Sequence, residues 1–357
     1  MTIRAKASLL GGLLFSALAA FACTPPKQQG TAEKAESPAT AAPAGTTAPA
    51  APKNIARPDR SLKGQKVAFV PIAMGFPITE SWNYVLKQQA EALGVTYILR
   101  DPNWNPQAQV QAITSLISEK VDLIVVQNPS LELLATQLEQ AEKAGIYVVQ
   151  INMESNYKTD FFVGIDSHEI GRKNAEAVVR LCGAGSGKSG KVLILQGEAT
   201  ASGSVWQLEG AMEVYKKHPE INIVASQPTG WQANEASRIA TTVLQQHKDL
   251  CAVHSFWDVL ANSAAQAIKE AGLKGQVKNV TSGDGSRFAC DLIEKGEIDD
   301  YLSYNSMLQG HEIMAVVRAL LRTGQPPGSY RLASYSFLEE ISPSNMRREM
   351  CWDMPKK

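Results

Sequence analysis

The sequence predicts an α/β protein built as two lobes, each wound around a parallel sheet. From Gln65 onward, short apolar runs alternate with amphipathic stretches of helical period, the signature of parallel βαβ units. Runs such as Leu123–Val126 and Val192–Leu195 are apolar at every position, as strands covered on both faces must be. The alternation also occurs twice along the chain, giving repeated α/β halves.

Taken in order, Val67–Val70 reads as a strand, and Glu80–Leu93 as a helix stopped by Gly94. Thr96–Leu99 is the next strand. Asn105–Ser118 is a helix that places Val110, Ile113 and Ile117 on one face. Leu123–Val126 is a strand, Leu131–Ala144 a helix ending at Gly145, and Tyr147–Ile151 and Phe161–Ile165 are strands. A helix starts from Glu169. In the second half, strands fall at Val192–Leu195, Ile221–Ala225, Ala252, Val277–Thr281 and Tyr301–Tyr304. Ser204–Lys217 has helical spacing, with Leu208, Met212 and Tyr215 sharing a face, and Leu308–Leu321 is a further helix.

The chain has 357 residues, 44% of them hydrophobic, and a formal net charge of +0, which suits a soluble protein of about two domains and argues against a nucleic-acid surface. Residues 1–22 are not expected to join the fold. Arg4 and Lys6 precede the apolar Leu9–Ala20, the pattern of a secretory signal peptide. Ala22-Cys23 at its end resembles a bacterial lipobox, which implies a lipidated Cys23 as the first mature residue. Thr24–Pro58 is rich in Ala, Pro, Thr and Lys with almost no large apolar residue, so residues 23–62 are expected to form a lipid-anchored flexible linker. The remaining cysteines, Cys182, Cys251, Cys290 and Cys351, suggest disulfides in an exported chain. All three pairings are possible. Cys182 with Cys251 and Cys290 with Cys351 is preferred, because the first two should sit at the cleft-distal end of neighbouring elements.

Loops at the carboxyl ends of strands line the ligand crevice of a parallel sheet. That rule brings Glu198–Trp206 and Thr229–Trp231 to one site, with Trp257 after the Ala252 strand and Trp82 after the Val67 strand also on the crevice side. Each of these tryptophans is read as a ligand contact against the plainer alternative of core packing. Aromatic faces pack against the C–H faces of sugars, while hydroxyls need a few fixed polar partners.

The run Lys191–Trp231 resembles the second lobe of a type I periplasmic sugar-binding protein of the ribose-binding kind. It has a strand, Leu195-Gln196-Gly197, a Ser/Ala loop, Glu209-Gly210 in a helix, and a strand ending Ala225-Ser226-Gln227-Pro228. The resemblance covers roughly Gly64 to Pro343. It implies two doubly wound parallel-sheet lobes, the periplasmic-binding-protein-like I fold, joined by a three-strand hinge. The lobes would be residues 63–166 plus 305–333, and 167–304 plus 334–357, crossing near Val163–Asp166, Tyr304-Asn305 and Arg331–Leu338. It also implies that Trp231 lies against a sugar and that Asp284, in Gly283-Asp284-Gly285, takes its hydroxyls. Asn152 stands where the family has Asp, Trp257-Asp258 where it has Asn-Asp, and Tyr304-Asn305 at the hinge where a Gln or Asp often sits. The arginines that clamp the ligand in the nearest relatives are replaced here by Met153 and, near the Ser/Ala loop, Val205, which favours a larger, less polar or modified sugar. Asp166 and Asp258 each precede helical sequence and are read as helix caps.

Gly183–Ser189 (GAGSGKS) hints at a phosphate loop, but Cys182 occupies the position of the first required Gly, and the run follows a helix rather than a strand. The five histidines, at 168, 218, 247, 254 and 311, are scattered and suggest no metal site, and no motif asks for a cofactor. The reading is a tethered solute-binding lipoprotein, not an enzyme. It would capture a small carbohydrate and, by resemblance, deliver it to an ABC permease, touching the membrane only through its anchor. The rivals are a sensor that presents ligand to a chemoreceptor or kinase, an exported glycoside-acting enzyme using Asp258 or Asp284, and a transcriptional regulator. The signal peptide counts against the last.

Overall fold

The structure is a computed structural model that describes residues 61–355. The signal segment, Cys23 and all but the last residues of the expected linker lie outside the described residues.

The first half forms β1 (Lys66–Val70), α1 (Pro77–Ala92), β2 (Thr96–Leu99), α2 (Pro106–Ser118), β3 (Leu123–Val126), α3 (Ala135–Lys143), β4 (Tyr147–Ile151) and β5 (Phe161–Gly164). The second half forms α4 (Ser167–Cys182), β6 (Lys191–Gln196), α5 (Ser202–Tyr215), β7 (Asn222–Pro228), α6 (Ala233–Gln246), β8 (Ala252–Ser255), α7 (Asp258–Glu270), β9 (Lys278–Gly283), α8 (Arg287–Glu294) and β10 (Asp300–Ser303). Then follow α9 (Ser306–Thr323), β11 (Leu332–Tyr335) and β12 (Glu339–Ile341). The strands form two six-stranded sheets, ordered β11-β5-β4-β3-β1-β2 and β12-β10-β9-β8-β6-β7. Every pairing is parallel except β10 with β12. The two sheets therefore repeat one winding, with β6–β10 tracing in the second lobe what β1–β5 trace in the first.

The central strands are buried throughout, Leu123–Val126 among them, as their unbroken apolar runs require. The chain passes between the sheets after β5, after β10 and after β11. Asn305 makes the second passage: it adopts φ 44, and its side-chain oxygen accepts the Leu308 N–H at 3.0 Å, capping α9. The helix then packs on α1, where the Ser81 hydroxyl donates to Ser306 Oγ at 2.8 Å. In the second lobe, α4 and α5 cross so closely that a Cβ on Gly171 would lie 2.0 Å from the Gln207 carbonyl oxygen.

Several helix starts differ from the sequence reading, α1 and α3 by three or more residues. α1 begins at Pro77 rather than Glu80, since proline needs no N–H in the first turn and presets the helical φ. α3 begins at Ala135 rather than Leu131, and the segment before it is held to the second lobe by the Leu131 N–H, which donates to the Thr200 carbonyl at 2.9 Å. The disulfides are Cys182–Cys251 and Cys290–Cys351, as preferred above, with Cα separations of 6.0 and 6.2 Å. The first joins the end of α4 to the residue before β8, and the second ties α8 to the C-terminal segment. Gly183–Ser189 is an exposed turn between α4 and β6. Among the described residues, no helix is long and apolar enough to cross a membrane.

Candidate ligand-binding site

The strands of both sheets point their carboxyl ends at a shared cleft, and the loops that follow them enclose a cavity of about 60 Å³. Ile72, Phe76, Trp104, Gln127, Asn152 and Met153 come from the first lobe; Gly203, Gln207, Trp231, Phe256, Trp257 and Tyr304 from the second and the passage out of it. Among the described residues, no Asp, Glu, Lys, Arg or His lines this cavity. Tyr304 is its one titratable side chain, and burial pushes that hydroxyl far above its usual range, so it stays neutral.

Aromatic rings form most of the wall. Phe76 meets Trp104 edge-on at 5.5 Å between centroids and reaches across to Trp257 at 5.5 Å. Trp257 then meets Trp231 at 6.3 Å with planes 82° apart. These are the offset and edge-to-face arrangements that aromatic pairs favour.

Trp104 and Trp231 occupy matching positions. β2 and β7 are the edge strands next to the first strand of their sheets, and each tryptophan sits in the loop that follows. Each is also the second of two consecutive left-handed residues, Asn103 (φ 48) with Trp104 (φ 63), and Gly230 (φ 59) with Trp231 (φ 62). A bulky side chain in this region is a true outlier, costing about 1–3 kcal/mol, and it persists only where its surroundings fix it. The Trp104 N–H is held by the Ile72 carbonyl at 3.0 Å. The Trp231 ring lies flat on Gly197, where a Cβ would fall 2.1 Å from it. Gly197 is thus the bare floor that Trp231 requires.

Four buried polar atoms on cavity-lining residues have no hydrogen-bond partner: Asn152 Oδ1, Gln207 Oε1, Trp231 Nε1 and Trp257 Nε1. Buried polar groups are nearly always paired, and these four are among 17 unpaired side-chain atoms of the described residues. They comprise two donors and two acceptors. Asn152 is fixed by its own left-handed backbone (φ 58) and by its N–H to the Val163 carbonyl at 2.9 Å. The lobes meet around the cavity: the Glu154 N–H donates to Ser202 Oγ at 2.9 Å, and the Lys158 ammonium stands 5.6 Å from the Trp206 ring centre.

Of the residues that the sequence suggested, Asn152, Trp231, Trp257 and Tyr304 line the cavity, and the other four do not. Trp82 is fully buried in the hydrophobic core, because its helical register turns it away from the cleft. Trp206 lies half-buried on α5 beneath Lys158. The Asn305 side chain is spent on capping α9. Asp284 is buried below the cavity, where it accepts the Ser286 N–H at 3.0 Å and faces the Ile78 N–H across the cleft. Burial pushes its carboxyl up to about 6. Asp166 caps α4 through the Glu169 N–H at 3.0 Å, as read from sequence. Asp258 does not cap α7 with its side chain: Trp257 holds the cap position, and Tyr301 O–H donates to Asp258 Oδ2 at 2.9 Å. Burial first, then the Asp284 charge, raises the Asp258 carboxyl well above the usual range.

Phe76, Trp104 and Gln207 were not foreseen as site residues. The signal for Trp104 was present: Pro102-Asn103-Trp104-Asn105-Pro106 follows β2 as Thr229-Gly230-Trp231-Gln232 follows β7.

Residues 67–326 match the model of the periplasmic binding protein domain family. The chain is 30% identical over 230 residues to the D-allose-binding periplasmic protein of Escherichia coli (strain K12), an alignment that spans 62% of this chain and 73% of that one. It is 27% identical over 242 residues to the D-apiose import binding protein of Actinobacillus succinogenes, covering 67% of this chain and 76% of the relative. The crystal structure of a galactofuranose binding protein superposes with a TM-score of 0.71 at 22% identity, over 80% of this chain and 97% of that one. With the repeated winding, the three passages and the cleft between the sheets, these likenesses place the chain in the periplasmic binding protein domain family, as a two-lobed solute-binding protein of type I.

Proposed function

We propose that this protein captures a small neutral carbohydrate, or a sugar derivative, between its lobes and hands it to an ABC importer. The observation that carries the reading is the set of four unpaired polar atoms on residues lining an aromatic cavity that has no charged residue among its described lining. Indole and phenyl faces suit the C–H faces of a sugar ring, and the indole N–H groups with the Asn152 and Gln207 oxygens suit its hydroxyls. A charged solute would find no counter-charge among the lining residues, and an unpaired buried charge is costly. The named relatives bind allose and apiose, which agrees in ligand class.

At about 60 Å³ the cavity has room for roughly four to six waters. The lobes close over this space, so they part to admit a ligand, bending where the three passages join the sheets. The protein is not an enzyme on this reading: glycoside hydrolysis needs two carboxylates facing the ligand, and Asp258 and Asp284 lie outside the cavity wall. Export follows the family. The anchor is assigned to a lipid on Cys23, and Cys23→Ser should then release the protein from membranes while leaving ligand affinity unchanged. A variant that still fractionates with membranes sinks the anchor. For capture itself, a thermal-shift screen of neutral sugars should find at least one that raises Tm, because a ligand that binds only the folded state stabilises it by mass action.

A further inference from the structure

A second chamber, of about 320 Å³, adjoins the aromatic cavity. The two share Ile72, Trp104 and Trp231, so the paired tryptophans stand at the boundary between them. Beyond that boundary, the first lobe contributes Pro129, Ser130 and Leu133, and the second contributes Glu198 and Thr200. The chamber is therefore complete only when the lobes are together, and the hydrogen bond from Leu131 N–H to the Thr200 carbonyl, at 2.9 Å, joins its two walls.

The two spaces differ in chemistry as well as size. The inner one has no charged lining residue, and Glu198 is the one charged residue lining the outer one. Its carboxylate is steadied by the Thr200 N–H and hydroxyl, at 3.3 and 3.2 Å. A carboxylate is a strong acceptor for hydroxyl hydrogens, since charge-assisted hydrogen bonds are stronger than neutral ones. Pro129 and Leu133 supply apolar surface beside it. This is again a combination of apolar wall and few polar groups, repeated on the far side of the two strained tryptophans. A single monosaccharide leaves the larger of the two spaces empty.

We propose that both chambers hold one ligand, a disaccharide or comparable glycoside. Its inner ring lies in the aromatic cavity, its glycosidic linkage passes between Trp104 and Trp231, and the hydroxyls of its outer ring meet Glu198 and Thr200. This rests on the carbohydrate reading of the inner cavity.

The test is titration calorimetry on the folded protein with matched pairs: D-xylose and xylobiose, D-galactose and lactose, D-glucose and cellobiose. In at least one pair the disaccharide should bind tenfold or more tightly than its monosaccharide. Ser130→Trp, which fills the outer chamber, and Glu198→Ala, which removes its carboxylate from an accessible loop, should each cut disaccharide affinity at least tenfold while leaving monosaccharide affinity within twofold. Two variants on opposite lobes guard against one of them misfolding. The proposal is overturned if the monosaccharides bind as tightly as their disaccharides, or if neither variant separates the two. If no member of any pair binds, the carbohydrate reading of the inner cavity fails and takes this inference with it.

Discussion

Phe76 of the first lobe meets Trp257 of the second with ring centroids 5.5 Å apart, so the aromatic wall of the cavity is built from both lobes and is continuous only when they are closed. Phe76 sits at the N-cap of α1 and Trp257 at the N-cap of α7. Each helix is the one that follows a strand feeding the cleft. Closure thus joins two helix starts by an apolar contact rather than an ion pair, and it should respond little to salt.

Trp257→Ala should weaken ligand binding by about 2 kcal/mol or more, roughly thirtyfold, the loss typical of removing a buried anchoring aromatic. Trp82→Ala should behave differently. Its side chain is fully buried in the core, and its loss should cost about 3–5 kcal/mol of stability. Chemical unfolding and ligand titration of both variants separate the roles. Equal affinity in Trp257→Ala and wild type would remove Trp257 from the site.

Gly197→Ala tests the floor beneath Trp231. The added Cβ would fall 2.1 Å from the ring, so the ring must move, and the cavity lies on its free side. Affinity should drop at least about tenfold, about 1.4 kcal/mol, with a change in tryptophan emission. A normal emission spectrum and normal affinity would mean that Trp231 does not depend on this glycine.

The disulfides should be formed in exported protein, so Cys182, Cys251, Cys290 and Cys351 should give no thiol reaction after denaturation without reductant. The bridges close 69 and 61 residues of sequence, and breaking either should cost about 2–5 kcal/mol. Both lie in the second lobe, away from the cavity lining. Unfolding curves with and without reductant measure the loss; reactive thiols in the oxidised sample would contradict the pairing.

His254 should set part of the pH dependence. It is fully buried, its Nδ1 is 3.0 Å from the Tyr215 hydroxyl, and burial pushes it down to about 3. The unfolded chain therefore takes up a proton below about pH 6.5 that the folded protein refuses. Stability is unaffected by this group above that pH and falls as pH drops toward 3, by at most about 1.4 kcal/mol per pH unit. His254→Asn should flatten that part of the profile whatever it does to absolute stability. An unchanged slope between pH 6 and 4 would show that His254 titrates normally.

Much of the fold was legible because strands buried on both faces are apolar at every position: β3 falls on such a run, and β6 extends the run Val192–Leu195 by one residue at each end. Helix starts were less legible: α3 begins at Ala135, and the segment before it is bonded to the other lobe through the Leu131 N–H. The cavity lining was half legible. The strand-end rule pointed to Trp231 and Trp257, and the family pattern to Asn152 and Tyr304, all of which line the cavity. The same rule misplaced Trp82, because following a strand says nothing about which face of the next helix a residue takes. Asp284, suggested by the family pattern, is absent from the lining: one residue past β9, its carboxylate accepts the Ser286 N–H and faces the Ile78 N–H. Trp104 was missed although the sequence carried its signal, because the match between the turn after β2 and the turn after β7 shows only when the two halves are compared.

Sugar capture is best tested by calorimetric titration of wild type and the double variant Asn152→Ala/Trp231→Ala with every neutral sugar that raises Tm. At least one sugar should bind wild type with a negative heat-capacity change, the mark of apolar burial. The double variant should lose that binding while its circular dichroism and disulfides remain intact. Undiminished binding by the folded double variant would place the ligand somewhere other than the aromatic cavity, and a screen in which only charged solutes bind would contradict the reading altogether.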